Sequence, residues 1–395
     1  MLRPKLNRFG TRYRHGYSTT TIMLRPKPSI ETIQPYQGGK PIEEVQRELG
    51  ITDIIKLASN ENSLGPSPLA LQAIAESTAQ VHLYPDGNAF YLKNDLAAHL
   101  GISAEHLILG NGSNDVLQLI AEAYLAPNDE VIYAAGAFVV YSLVTKLCSA
   151  RAVVVPMQND THDLSAMVGA ITRKTKVIFV ANPNNPTGTM VTAEETAAFM
   201  EQVPDDVLVV FDEAYYEYVL RSDYPQTLPY VLGGRNFIIT RTFSKIYGLA
   251  GLRIGYGIAP PALVETLNRV RQPFNCSLVG QAAARAALKD TAHVKKSQAS
   301  NTAGKTFLYE AFDDMGLRYT QTEGNFIMLH LEQLGTEVAD ALLQKGVIVR
   351  PIGGYGYPNA IRVTIGTQEE NKRFITSLER SLQNSSQQSA VSNAL

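Results

Sequence analysis

Lys245 lies in the stretch RTFSKIYGLAGLRIGY, residues 241–256, directly behind the apolar run NFIIT and beside two hydroxyl residues, Thr242 and Ser244. Eight residues further on, the glycine-spaced segment carries one more cation, Arg253. An amine at the end of an apolar run becomes a nucleophile once desolvation suppresses its charge, and a guanidinium nearby suits an anion. Other apolar runs end in polar residues of equally particular kinds. VANPNNPTG places Asn182 and Asn185 in a loop shaped by Pro186 and Gly188, and VFDEAYYEY places Asp212 at a run's end with Tyr215 behind it. GNGSND sets Gly112, Ser113 and Asn114 at the start of a helical pattern, where free N–H groups and the helix dipole favour an anion. GAFVVY adds an aromatic face in Phe138. Each feature alone has an ordinary reading: a solvated lysine, a satisfied Asp–Tyr pair, a core phenylalanine, turn asparagines. Their joint occurrence at successive run ends is what points to chemistry.

The runs that must position these residues read as strands: HLILG (106–110), EVIYAA (130–135), AVVVPM (152–157), KVIFVAN (176–182), DVLVVFDE (206–213) and NFIITRTF (236–243). They are rich in Val and Ile and apolar almost throughout, as in strands covered on both faces. Between them NDVLQLIAEAYLAP (114–127) and TAEETAAFMEQVP (192–204) have helical spacing, with Ser113 and Thr192 as N-caps. This alternation predicts an α/β fold, a mostly parallel sheet with helices on both faces. Ligands of such sheets sit beyond the carboxyl ends of the strands, so the polar residues should converge on one crevice. After about residue 290, a Lys/Gln/Ser-rich helical stretch leads to NFIMLHL (325–331), GTEVADALLQKG (335–346), VIVRPI (347–352), AIRVTIG (360–366) and TQEENKRFITSLERSL (367–382). That part reads as a smaller α/β domain.

Pyridoxal phosphate requires such a set of residues. A lysine must join its aldehyde, for which Lys245 is the candidate. A carboxylate, Asp212, must pair with the pyridine nitrogen and keep it protonated. Tyr215 and Asn185 are suitable partners for the 3′-oxygen. Thr242, Ser244, Gly112, Ser113, Asn114 and Arg253 supply hydroxyls, backbone N–H groups and a cation for the phosphate. Phe138 would cover the ring.

Composition narrows the alternatives. The chain has 395 residues and a formal net charge of −2, so nothing draws the whole molecule to nucleic acid or an anionic membrane. Cys148 and Cys276 form no close pair, and neither CxxC nor a close His pair appears, so neither a disulfide framework nor a metal site is expected. No apolar run approaches bilayer-spanning length. Residues 1–29 form a basic tail, acid-free as far as Glu31, and MLRPK recurs at Met23. An upstream translation start is the preferred reading of this tail over organellar targeting, and a cytoplasmic location is expected. The remaining boundaries are an N-terminal arm over 30–59, packing with the small domain or a partner subunit; a large domain over 60–290; a small domain over 291–382; and a polar tail, expected to be disordered, over 383–395.

From about Ile30 to Leu382 the chain resembles the fold-type-I, class II aminotransferases. LASNENSLGPSP (57–68), LYPDG (83–87), GNGSND, NPNNPTG, DEAYYEY, RTFSKIYGLAGLRIGY and RVTIGT (362–367) carry the resemblance. It implies an aspartate-aminotransferase-like fold, with a mostly parallel seven-stranded sheet in the large domain. It implies pyridoxal 5′-phosphate as cofactor and Lys245 as the Schiff-base lysine and proton shuttle. Asp212, Asn185, Tyr215, Ser244 and Arg253 take the roles given above. Tyr84 would reach the cofactor phosphate from a neighbouring subunit, which implies a homodimer. Arg362, Arg350, Tyr36 and Asn62 would face the substrate. Within the family the chain is most similar to members that act on L-histidinol phosphate and 2-oxoglutarate in histidine biosynthesis. Aromatic aminotransferases share most of the motifs and remain an alternative. A non-catalytic regulatory module is a remote third reading, because the basic tail is too short for a helix-turn-helix. Two positions depart from the family pattern: Phe138, where some relatives have Tyr, and Ser63, where Pro is frequent.

Overall fold

The computed structural model describes residues 24–35 and 38–392. A seven-stranded sheet runs in the order Leu107–Gly110, Gly255–Ile258, Phe237–Thr242, Leu208–Asp212, Thr175–Ala181, Glu130–Ala134, Arg151–Val155. Gly255–Ile258 is antiparallel to both its neighbours, whereas the pairings from Phe237–Thr242 through to Arg151–Val155 are parallel. Register puts Ala181 opposite Asp212, and Asp212 opposite Thr240, so three strands finish nearly level. Apolar side chains pack against both faces of the sheet in two separate clusters.

Gly255–Ile258 is absent from the strands read in the sequence. Its glycines are poor strand formers, yet the packing demands them. A Cβ on Gly255 would collide with the backbone nitrogen of Ser113, and one on Gly257 would lie 2.9 Å from a methyl of Val116. The helix Ser113–Tyr124 therefore lies directly on this strand. The edge strand Arg151–Val155 is not covered on both faces as its composition suggested: Val154 is 51% exposed. The N-cap at Thr192 forms as expected, in a capping box with Glu195. The other cap is shifted by one residue. Gly112, with φ at 81°, is the N-cap and Ser113 is the first helical residue. Left-handed backbone at 112 suits glycine and leaves Ser113 inside the first turn.

The small domain holds a four-stranded sheet in the order Tyr319–Thr320, Phe326–His330, Ala360–Thr364, Arg350–Pro351. Its helices are Thr291–Asp314, Gly335–Leu343 and Gln368–Ser392. The run VIVRPI divides between two sheets: Val347–Ile348 pairs in parallel with Ile55–Lys56 of the arm, and Arg350–Pro351 pairs with Ala360–Thr364. Leu57 of the arm joins the small domain's core. The last helix runs to Ser392, beyond the boundary drawn at 382. QNSSQQSAVS (383–392) contains no glycine or proline to stop it. Residues 1–23 of the basic tail and residues 393–395 lie outside the described residues. Among the described residues no helix is long and apolar enough to cross a membrane.

Candidate active site

The level strand ends open into a cavity of ≈ 250 Å³ between the two domains. Lys245, Asp212, Tyr215, Asn185, Phe138, Ser113, Asn114, Thr242, Ser244 and Arg253 line it from the large domain, and Arg350, Tyr355 and Arg362 from the small one. The sequence-based set thus converges, with four exceptions described below: Gly112, which sits behind the wall against Arg253, and Asn62, Tyr84 and Tyr36.

Asp212 is buried at the end of its strand. Its carboxylate accepts a hydrogen bond from the Thr240 hydroxyl at 3.1 Å and another from the Tyr141 hydroxyl at 3.0 Å. Burial pushes its pKa up to about 6, against the pull of those two donors. The carboxylate is ionised at neutral pH but poorly solvated, which suits a cationic partner. Neither Tyr141 nor Thr240 was recognised from sequence. Thr240 is the register partner of Asp212, and Tyr141 lies one turn after Phe138 on the helix Val139–Leu147. Tyr141 stacks on Phe179 with ring centroids 4.7 Å apart, and Phe138 meets Tyr141 edge-on at 5.9 Å.

Lys245 Nζ donates to the carbonyls of Ser59 at 3.1 Å and Asn60 at 3.2 Å. Burial, reinforced by the positive charge of Arg362, lowers its pKa to about 7. A large fraction is therefore neutral amine near pH 7, the reactive form. Across from it, the Tyr215 hydroxyl accepts from Asn60 Nδ2 at 2.9 Å, and burial lifts this phenol to about 12. Asn60, with φ at 55°, was not anticipated. Its left-handed backbone turns it inward, while the expected Asn62 is occupied elsewhere. Asn62 Nδ2 donates to the Ile246 carbonyl at 2.7 Å and the Ser297 hydroxyl at 2.9 Å, and Asn62 is not in the cavity wall.

Arg362 is buried and spans the domain boundary: Nη1 donates to Asn185 Oδ1, and Nη2 to the Ala58 carbonyl at 2.7 Å. Arg350 is its cross-strand partner, so two guanidinium-bearing positions adjoin on the small-domain wall. At the opposite end, Arg253 Nη1 and the Thr242 hydroxyl both donate to Ser244 Oγ, at 3.2 and 3.0 Å. A Cβ on Gly112 would collide with Arg253 Nη2, so the helix start, the arginine and the hydroxyls form one close-fitting anion cradle. These features fit pyridoxal phosphate: a cradle for its phosphate, a buried carboxylate for its ring nitrogen, Phe138 for its face and an amine between them. Tyr84 lies outside this chain's cavity; it is 82% exposed and stacks on Phe274 with centroids 4.8 Å apart. Tyr36 lies outside the described residues. Among the described residues no group of three or more His, Cys, Asp or Glu is arranged to hold a metal ion.

Comparison with known proteins shows the family. The family model for aminotransferase class I and II matches residues 52–378. The histidinol-phosphate aminotransferase of Moorella thermoacetica is 54% identical over 357 residues, 90% of this chain and 92% of that protein. Histidinol-phosphate aminotransferase 1 of Nitrosococcus oceani is 49% identical over 90% of this chain and 96% of its own length. Among solved structures, histidinol-phosphate aminotransferase from Sinorhizobium meliloti in complex with pyridoxal-5′-phosphate superposes with a TM-score of 0.86 at 28% identity, covering 92% of this chain and 99% of that one. Convergent strand ends, Lys245 and Asp212 in one cavity wall, and matches across nearly the whole length lead to one conclusion: the chain belongs to the class I and II aminotransferases.

Proposed function

We propose that this protein is a cytoplasmic, pyridoxal-phosphate-dependent transaminase that exchanges an amino group between L-histidinol phosphate and 2-oxoglutarate. The products are imidazole-acetol phosphate and L-glutamate, a step of L-histidine biosynthesis. The observation that carries the reaction class is the Lys245 amine, with its pKa lowered to about 7, enclosed in one cavity with Asp212 and the Arg362–Asn185 pair. The substrate reading is supported by the names of relatives near 50% identity and by the two arginines on the small-domain wall.

When bound, pyridoxal phosphate supplies an electron sink for negative charge at the substrate's Cα. The chain's own residues do the rest. Lys245 Nζ would be the general base and acid that takes and returns the Cα proton; a pKa near the working pH is the optimum for that task. Asp212, ionised above about pH 6, would hold the proton on the pyridine nitrogen. Tyr215 and Asn185 would donate to the 3′-oxygen. The Arg362 fork takes a phosphate or a carboxylate by the same geometry, so one residue serves both substrates. Tyr84, exposed on this chain, completes the cradle of a second copy in a homodimer. A half-reaction assay following cofactor absorbance tests the reading. Histidinol phosphate should be a better amino donor than phenylalanine by several orders of magnitude in kcat/KM; a preference for phenylalanine would make the protein an aromatic aminotransferase instead.

A further inference from the structure

The small-domain segment GGYGYP (353–358) contributes Tyr355 to the cavity wall and is not explained by the roles above. Tyr355 ends its single helical turn, Gly353–Tyr355, and lines the cavity together with Arg350 and Arg362. It shares that cavity wall with Tyr215, and the two phenols are near enough that Tyr355 adds to the rise in the Tyr215 pKa.

The position of Tyr355 is fixed from across the domain boundary. Two residues on, the Tyr357 hydroxyl donates to Met157 Sδ of the large domain at 3.6 Å. The Tyr357 ring fills a notch left by Gly136, whose backbone is left-handed at φ 71°. A Cβ on Gly136 would stand 2.9 Å from Tyr357 Cε2 and 3.2 Å from the Tyr355 carbonyl oxygen. The segment is therefore docked on the same turn that carries Phe138, and Tyr355 is held rather than loosely draped.

We propose that the Tyr355 hydroxyl is a specificity-determining donor to the phosphate end of the amino donor, and that the dicarboxylic substrate does not use it. The inference rests on the substrate reading above. Its chemical basis is the number of oxygens to be satisfied. A carboxylate presents two, which one guanidinium fork covers; a phosphate monoester presents three strong acceptors. The additional oxygen needs another donor on the Arg350–Arg362 wall, and Tyr355 supplies one there without adding charge. A neutral donor strengthens binding of the phosphate without raising affinity for every anion that enters.

Tyr355→Phe removes one oxygen and keeps the ring. In the holoenzyme, KM for L-histidinol phosphate should rise about ten- to hundredfold, the scale of a lost hydrogen bond to a charged group. Its kcat, the KM for L-glutamate and the KM for L-histidinol, which lacks the phosphate, should each change by less than about twofold, with the melting temperature unaltered. Equal losses with all three donors, or no loss with histidinol phosphate, would overturn the proposal. A wild-type enzyme that turns over phenylalanine but not histidinol phosphate would instead overturn the substrate reading, and the phosphate role of Tyr355 with it.

Discussion

Replacing Tyr141 with phenylalanine tests how the buried carboxylate of Asp212 is kept ionised. The substitution preserves the ring stacked on Phe179 at 4.7 Å and removes only the hydroxyl that donates to Asp212 at 3.0 Å. Burial raises Asp212 to about 6, and the Tyr141 hydrogen bond is the larger of the two hydroxyl contributions opposing that rise. A hydrogen bond to a charged group is worth about 1.5–3 kcal/mol, and one pKa unit corresponds to about 1.4 kcal/mol. Its loss should move the carboxyl up by about 1–2 units. At pH 7 the ionised fraction would drop from about nine-tenths to between about one-half and one-tenth. The pH profile of kcat/KM is the assay, because it reports the free enzyme's essential groups. Its acidic limb should shift upward by about 1–2 units, with activity depressed about 2- to 10-fold at pH 7 and largely recovered near pH 9. On the proposed role of Asp212, carboxylate and ring nitrogen would titrate as a pair in the loaded enzyme, so the shift would belong to the pair. A profile of unchanged shape, lowered uniformly at every pH, would show that Tyr141 acts through packing alone and refute the electrostatic argument.

Three further outcomes follow from the same geometry. Between the folded pKa of Lys245, about 7, and its ordinary 10.5, the unfolded chain binds the extra proton, so cofactor-free protein should gain stability as pH rises through that window. Lys245→Met should remove this rise and increase the melting temperature at and below pH 7, as read by calorimetry at a series of pH values; a parallel pH dependence in both proteins would contradict the buried-amine assignment. Arg362→Leu breaks the links to Asn185 and Ala58 and should weaken both half-reactions by about 2–5 kcal/mol, with Arg362→Lys restoring part. Because Arg362 also depresses Lys245, the amine's pKa should move up in the leucine variant; single-turnover rates against pH would show both effects, and loss of only one half-reaction would count against a shared arginine. Gly112→Ala forces a side chain onto left-handed backbone and into Arg253. Equilibrium dialysis should show pyridoxal phosphate affinity lower by about ten- to hundredfold with the fold retained, the scale of 1–3 kcal/mol of backbone strain; wild-type affinity would mean that the cradle does not hold the phosphate.

What the sequence determined by itself was local in origin. Apolar runs interrupted by particular polar residues identified the strand ends, and turn chemistry placed Asn185, Asp212, Lys245 and the Gly112–Asn114 helix start in the right order around one crevice. These signals are written within a few residues of chain, in period, cap and turn, so they survive without knowledge of neighbours. The repeated motifs of the family then extended the reading to the cofactor and reaction class.

The tertiary structure decided which side chains meet. The partners of Asp212, Tyr141 and Thr240, come from a helix 71 residues earlier and from the neighbouring strand, and depend on register that composition does not reveal. In NEN (60–62) the backbone conformation at Asn60 sends that residue to Tyr215 and leaves Asn62 to the helix Thr291–Asp314. Gly255–Ile258 becomes a strand because a helix presses on it, overriding weak propensity, and VIVRPI is split because two sheets claim its ends. Arg362 reaches Asn185 across 177 residues of chain, and Tyr355 is aimed by a neighbour seated in the other domain. Such contacts arise when elements distant in sequence pack together, and their energies depend on distances and angles that only the assembled fold defines.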